Sequence, residues 1–136
     1  MAITICNTRA EVNAVVGVKQ IWHDVPQGRW VVRTGADIET PSSNSFSLSR
    51  VQFLNGALIV GGQILLEAVN GYIADRLANG TPAQKIYWGS SNEFLRSHQY
   101  VNQLRVAIIG AKTNPQSIAE MNSVFLNGSA YSPPVT

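Results

Sequence analysis

Ile3 and Ile5 alternate with polar neighbours, and the stretch from Val12 to Ile21 is rich in Val and Ile. Such residues favour a pleated, half-buried surface, so the chain opens as strand. Pro26-Gln27-Gly28 interrupts the run between Trp22 and Trp30, with the residue types that make turns. Arg29-Trp30-Val31-Val32-Arg33 then reads as a returning strand, and the pattern predicts a hairpin around residues 12–33. Residues 37–45, with Pro41-Ser42-Ser43-Asn44, read as a surface loop or arm that could reach a neighbouring subunit.

The middle of the chain fits two templates. Phe46, Leu48, Val51 and Phe53 could lead as a strand into Asn55-Gly56, a hairpin signal. Val51, Leu54, Leu58, Leu65, Val69, Ile73 and Leu77 instead fall near helical spacing. Residues 46–60 stay open between hairpin and helix, whereas 64–78 reads as helix closed by Asn79-Gly80, glycine there permitting a left-handed turn. Asn92 reads as the cap of a further helix with Phe94, Val101, Leu104 and Ile108 on its apolar stripe, and a strand is the alternative over 104–109. Asn114-Pro115 predicts the start of a last helix, with Ile118, Met121, Val124 and Phe125 inward and Asn127-Gly128 at its end. Residues 129–136, with Pro133-Pro134, read as an extended tail. The expected class is α+β in a single structural domain over 1–136: a β-rich N-terminal part followed by two or three packed helices.

Composition adds one strong feature. The hydrophobic fraction, 45%, is ordinary, but charged residues make up only 13%, against about 25% in typical domains. A folded monomer of this size exposes roughly 7,000 Å², so its charge density is about half the usual. Charge is depleted where surface becomes interface, which points to a protein whose exterior meets other subunits. Net charge is +2, with ten Lys and Arg dispersed and no basic run, so no tail dedicated to nucleic acid is expected. Cys6 is the lone cysteine and cannot staple the fold. The start of the chain lacks a secretory pattern. Apolar stretches at 57–60 and 64–66 are broken by Gly61, Gly62, Gln63 and Glu67, short of the roughly 18 apolar residues of a membrane span. The expectation is a protein of the reducing cytoplasm, or of a particle assembled there, without a membrane partner.

No constellation for catalysis stands out, and no enzyme activity is expected. His23 adjoins Asp24, but neighbours on a strand point to opposite faces. Metal ligation needs several ligands at suitable spacing, and the sequence offers no cysteine pair and no such histidines, so neither metal nor cofactor is expected. Gly61-Gly62 lacks the rest of a phosphate-binding loop and reads as a bend or close-packing point. Asp37 and Glu39 read as solvated. The sequons at Asn79 and Asn127 coincide with helix ends. Tyr87-Trp88 beside Lys85 could stack on a base or a sugar, with packing the plainer use. Trp, Tyr and Arg anchor protein interfaces, which makes Trp22, Arg29, Trp30, Trp88, Tyr100, Phe125 and Tyr131 interface candidates. Arg33, Arg50 and Lys85 are the candidates for nucleic acid.

The segment from Tyr100-Val101-Asn102 to Lys112-Thr113-Asn114, followed by Ile118, Met121, Leu126 and Gly128, resembles the C-terminal part of single-stranded RNA phage coat proteins. The resemblance covers about a quarter of the chain. It implies a segment that closes a sheet, then helices that lock onto a partner subunit. It does not extend to 51–77, which is apolar where that family carries an RNA-facing sheet. Lys19-Gln20-Ile21-Trp22-His23 with Gly28 and Trp30 is similar to a segment of fungal fruit-body lectins, without that family's sugar-binding stretch. The expected function is a bacteriophage virion structural protein: a self-assembling capsid, coat or head-tail subunit. Its partners would be copies of itself, other virion proteins and viral nucleic acid. The alternative is a lectin-like module using Trp22, Trp30 and Trp88.

Overall fold

A computed structural model of the 136-residue chain describes residues 2–35, 47–110 and 117–129. The fold is α+β, a small antiparallel sheet near the N-terminus followed by several helices. Strands β1 (Ala2–Cys6), β2 (Lys19–Asp24) and β3 (Arg29–Thr34) form a sheet of order β1-β3-β2. Both pairings are antiparallel, and the register aligns Thr4 with Val32 and Val32 with Ile21. The predicted hairpin is present as β2 and β3, joined by a turn whose Gly28 adopts φ +65°. Its expected first residues are not strand. Helix α1 (Arg9–Ala14) takes them, because the Thr8 hydroxyl accepts from the Glu11 backbone N–H while the Glu11 carboxylate accepts from Asn7 N–H. This local cap outweighs the β preference of Val12, and the helix ends at Val15, which is extended.

Strand β4 (Ser47–Ser49) leads directly into helix α2 (Arg50–Asn79), which settles the open segment as a short strand and then helix. Ser49 and Gln52 form a reciprocal capping box. Asn55-Gly56 is no hairpin. A side chain at Gly56 would run into the Val124 backbone, and one at Gly128 would lie 2.5 Å from the Gln52 carbonyl. The two glycines let α2 and α5 (Ser117–Ser129) cross in near-backbone contact. The expected bend at Gly61-Gly62 is realised: Gly62, at φ +73°, divides α2 into residues 50–61 and 63–79.

The left-handed closure expected at Gly80 is absent, since Gly80 has φ −72°. Thr81 and Gln84 form a second capping box with Pro82 in the first turn of helix α3 (Pro82–Ser90), which requires an extended approach. Asn92 caps no helix. Strand β5 (Glu93–Leu95) pairs with β4 and buries Phe94 opposite Leu48. Helix α4 (Gln99–Leu104) is capped by His98, six residues beyond the expected cap, and runs into a π-helical stretch over Arg105–Gly110, so 104–109 is not strand. Ser129 closes α5 rather than opening the tail. The arm at 37–45, the Asn114-Pro115 start and residues 130–136 lie outside the described residues.

The core gathers around Phe53, whose ring lies 5.5 Å from Phe94 and 5.7 Å from Phe125. Val12, Val32, Val60 and Met121 close it from the sheet and helices. Counting uninterrupted apolar runs overlooked one property of α2. This 30-residue helix reaches a mean hydropathy of 1.4 over eighteen residues, long and apolar enough to cross a membrane by length and composition. One face of it, including Phe53, Ala57, Val60, Leu65 and Val69, packs against the chain itself.

Candidate assembly surface

Alternation along the strands gives the sheet two chemically different faces. Cys6, Val32, Ile21 and Lys19 point into the molecule and are buried. On the outer face the register sets Ile5, Val31 and Trp22 in one row, and Ile3, Arg33 and Gln20 in the next. Ile3, Ile5 and Trp22 are 57%, 45% and 64% exposed. Arg33 donates to Gln20 Oε1 at 3.0 Å, and Arg29 pairs with Asp24 at 3.3 Å. An apolar row of three residues, exposed at Ile5 and Trp22 and half-buried at Val31, therefore lies on a sheet face that no described helix covers.

The inner face is anchored by a buried cation. Lys19 Nζ donates to the carbonyls of Val12 and Val15, at 2.9 and 3.2 Å, and lies 3.4 Å from the Glu120 carboxylate. Burial raises the Glu120 pKa above its ordinary value, and Lys19 works against that rise. Helix α5 also closes the β2 edge. Ser123 Oγ accepts from Lys19 N–H at 3.0 Å. Asn127 Oδ1 accepts from Ile21 N–H and its Nδ2 donates to the Lys19 carbonyl, each at 2.8 Å. Side chains thus take the place of a fourth strand there. The opposite edge, on β1, pairs with no strand among the described residues.

The sequence candidates separate on this frame. Trp22 stands on the outer face. Trp30 faces inward, its ring stacked on His23 at 4.5 Å with the Arg9 guanidinium 5.3 Å from it. Trp88 and Phe125 are 1% and 0% exposed and serve the chain's own core. Of the three tryptophans, Trp22 alone presents an exposed ring. Tyr100 is half-buried against Tyr87, and Tyr131 lies outside the described residues. Arg50 donates to the carbonyls of Trp88 and Ser91, at 2.6 and 3.3 Å, and so caps α3. Arg33 lies on β3 and Lys85 on exposed α3, so the three cations do not form one patch on a shared element.

His23 and Asp24 point to opposite faces, Asp24 towards Arg29. His98 Nδ1 accepts from Tyr100 N–H at 3.0 Å. Burial pushes the Cys6 thiol up, away from the reactive thiolate. No group of three His, Cys, Asp or Glu side chains could hold a metal among the described residues. An open depression of about 480 Å³ over α4 and the π-helical stretch is lined by Gln99, Asn102, Gln103, Arg105, Val106 and Ala107, with no acid or general base.

Sequence reasoning missed Arg9, Lys19, Arg96 and Asn127, polar residues that the interior uses. Arg96 donates to Asn122 and Asn102 at 2.6 and 3.0 Å. One signal was available: Glu120, Ser123 and Asn127 recur at helical spacing, a polar stripe beside the apolar one on α5. Comparison of the chain with protein families, curated proteins and solved structures finds no match.

Proposed function

We propose that the chain is a self-assembling structural subunit of a virus particle, a capsid, coat or head-tail component that acts through contacts with copies of itself. The observation that carries this reading is the apolar row Ile5, Val31 and Trp22 on the outer sheet face, exposed at its two ends, in a chain with only 13% charged residues. Apolar surface left open on a charge-poor exterior is the physical signature of an interface awaiting its partner.

Further support comes from α2 and α3, where Val51, Ile64, Leu77 and Ile86 are also exposed. The viral setting rests on the likeness of residues 100–128 to RNA phage coat proteins. In the present fold residues 100–110 are helical where the likeness implied a sheet-closing strand, so the reading extends to particle subunits in general and does not adopt that family's sheet. Viral nucleic acid is a lesser partner in this reading, because Arg50 is committed to capping α3. Sedimentation of the purified chain tests the proposal: species larger than a monomer should grow with concentration, and a clean monomer at high micromolar concentration would overturn it.

A further inference from the structure

Assembly as proposed above needs a specific joint, and the geometry points to the β1 edge: we infer that β1 of one copy pairs antiparallel with β1 of another about a two-fold axis through Thr4, making one continuous six-stranded sheet. This inference rests on the assembly reading and names the surface that carries it. The two edges of the sheet are treated differently. Helix α5 spends Ser123 and Asn127 to close β2, whereas β1 keeps an edge that pairs with no strand among the described residues. Proteins that stay apart protect such edges with charge, proline or a bulge. Ala2-Ile3-Thr4-Ile5-Cys6 has no charge and no proline, and its five residues align with β3 one for one.

The strand is close to a chemical palindrome. About Thr4, Ile3 mirrors Ile5 and the small residues Ala2 and Cys6 mirror each other. A two-fold joint must be self-complementary, and this strand meets that demand: Thr4 meets Thr4, and each Ile3 meets the other copy's Ile5. Thr–Thr and β-branched pairs are favourable across strands. The charges agree too. Each row of the joined sheet would run Gln20, Arg33, Ile3, then Ile5, Val31, Trp22 of the second copy. Arg33 therefore faces apolar residues across the joint. The two Arg33 side chains stand about three strand spacings apart, roughly 14 Å, beyond the screening length in physiological salt.

The area sets the strength. Two five-residue edges with four isoleucine flanks bury on the order of 800 Å² in total, below the roughly 1,200 Å² of the smallest stable complexes. The joint alone is weak and concentration-dependent, closes at a dimer, and becomes lasting only when a second surface links dimers into a larger assembly. The self-complementary order of Ala2–Cys6 favours a second copy over a peptide ligand.

Oxidative cross-linking tests the joint directly. Across the axis the Thr4 Cα atoms would lie about 4.5–5.5 Å apart, within disulfide range. Thr4→Cys in a Cys6→Ala background should form disulfide dimers at least about tenfold faster than Val16→Cys in the same background, by effective concentration; Val16 is 66% exposed but off the strand. Ile3→Lys and Ile5→Lys should weaken concentration-dependent sedimentation at least about tenfold in midpoint concentration with the melting transition unchanged, since both side chains are exposed in the single chain. If the wild type self-associates while Thr4→Cys cross-links no faster than the control, or the lysine variants associate as before, the β1 joint is wrong and assembly uses another surface. A wild type that remains monomeric overturns the assembly reading itself, and the joint with it.

Discussion

The Arg9 guanidinium donates to the carbonyl oxygens of Ile59 and Val60, at 2.6 and 3.2 Å, and thereby caps the first half of α2 from another element. The break at Gly62 strands these carbonyls at the end of a helical segment. Arg9 also contacts the Trp30 ring and lies beside Gly62, where an added Cβ would come within 3.3 Å of Nε. Arg9→Ala should therefore destabilise the fold by about 1–3 kcal/mol, mainly by orphaning buried carbonyls. Urea unfolding would read this as a lower midpoint, and an unchanged midpoint would show that solvent replaces the cap.

Glycine substitutions should differ in sign with position. Gly56→Ala and Gly128→Ala force α2 and α5 apart where their backbones nearly touch, at a cost of about 1–3 kcal/mol or more. Gly71→Ala, on an exposed helical face with nothing within 4 Å, should stabilise by about 0.5–1 kcal/mol. Thermal melts of the three variants separate these cases.

The Lys19–Glu120 pair sets a pH dependence. Burial raises the Glu120 pKa, so the folded chain holds this proton more tightly than the unfolded one. The stability contribution of Glu120 is then greatest below its ordinary value of 4.5 and declines as pH rises from there through the raised folded value. Glu120→Gln should flatten that part of the stability profile. Lys19→Met removes both the donor to Val12 and Val15 and the counter-charge. It should cost about 3–5 kcal/mol at neutral pH and extend the Glu120 decline to higher pH.

Asn127 and Tyr87 give opposite expectations for polar groups. Asn127→Leu leaves Ile21 N–H and the Lys19 carbonyl unpaired and uncovers the β2 edge. A loss of about 2–4 kcal/mol should accompany aggregation through that edge. The buried Tyr87 hydroxyl has no hydrogen-bond partner among the described residues, and burial pushes its pKa up to about 12. Tyr87→Phe should be neutral or stabilising by up to about 1 kcal/mol, and calorimetry would distinguish the two signs.

The periodic signals were legible in the sequence: the β2–β3 hairpin, the second half of α2, and the stripe of Met121, Val124 and Phe125. Where the reading failed, a local cap or a tertiary contact had won. Thr8 and Glu11 turned Arg9–Ala14, including Val12, into helix. Gly56 looked like a turn because its purpose, close approach to Val124, lies 68 positions away in the chain. Trp88 and Phe125 looked like interface anchors because composition does not distinguish an aromatic that fills its own core from one that fills a neighbour's. Trp22 and the isoleucines of β1 became visible as a surface only once the register put them on one face.

Sedimentation velocity on the wild-type chain, from low to high micromolar concentration in reducing buffer, tests self-assembly most directly. The account predicts a sedimentation coefficient that climbs with concentration into dimers and larger species, and a marked shift back towards monomer in Ile3→Lys. A single monomer boundary across the whole range would contradict it.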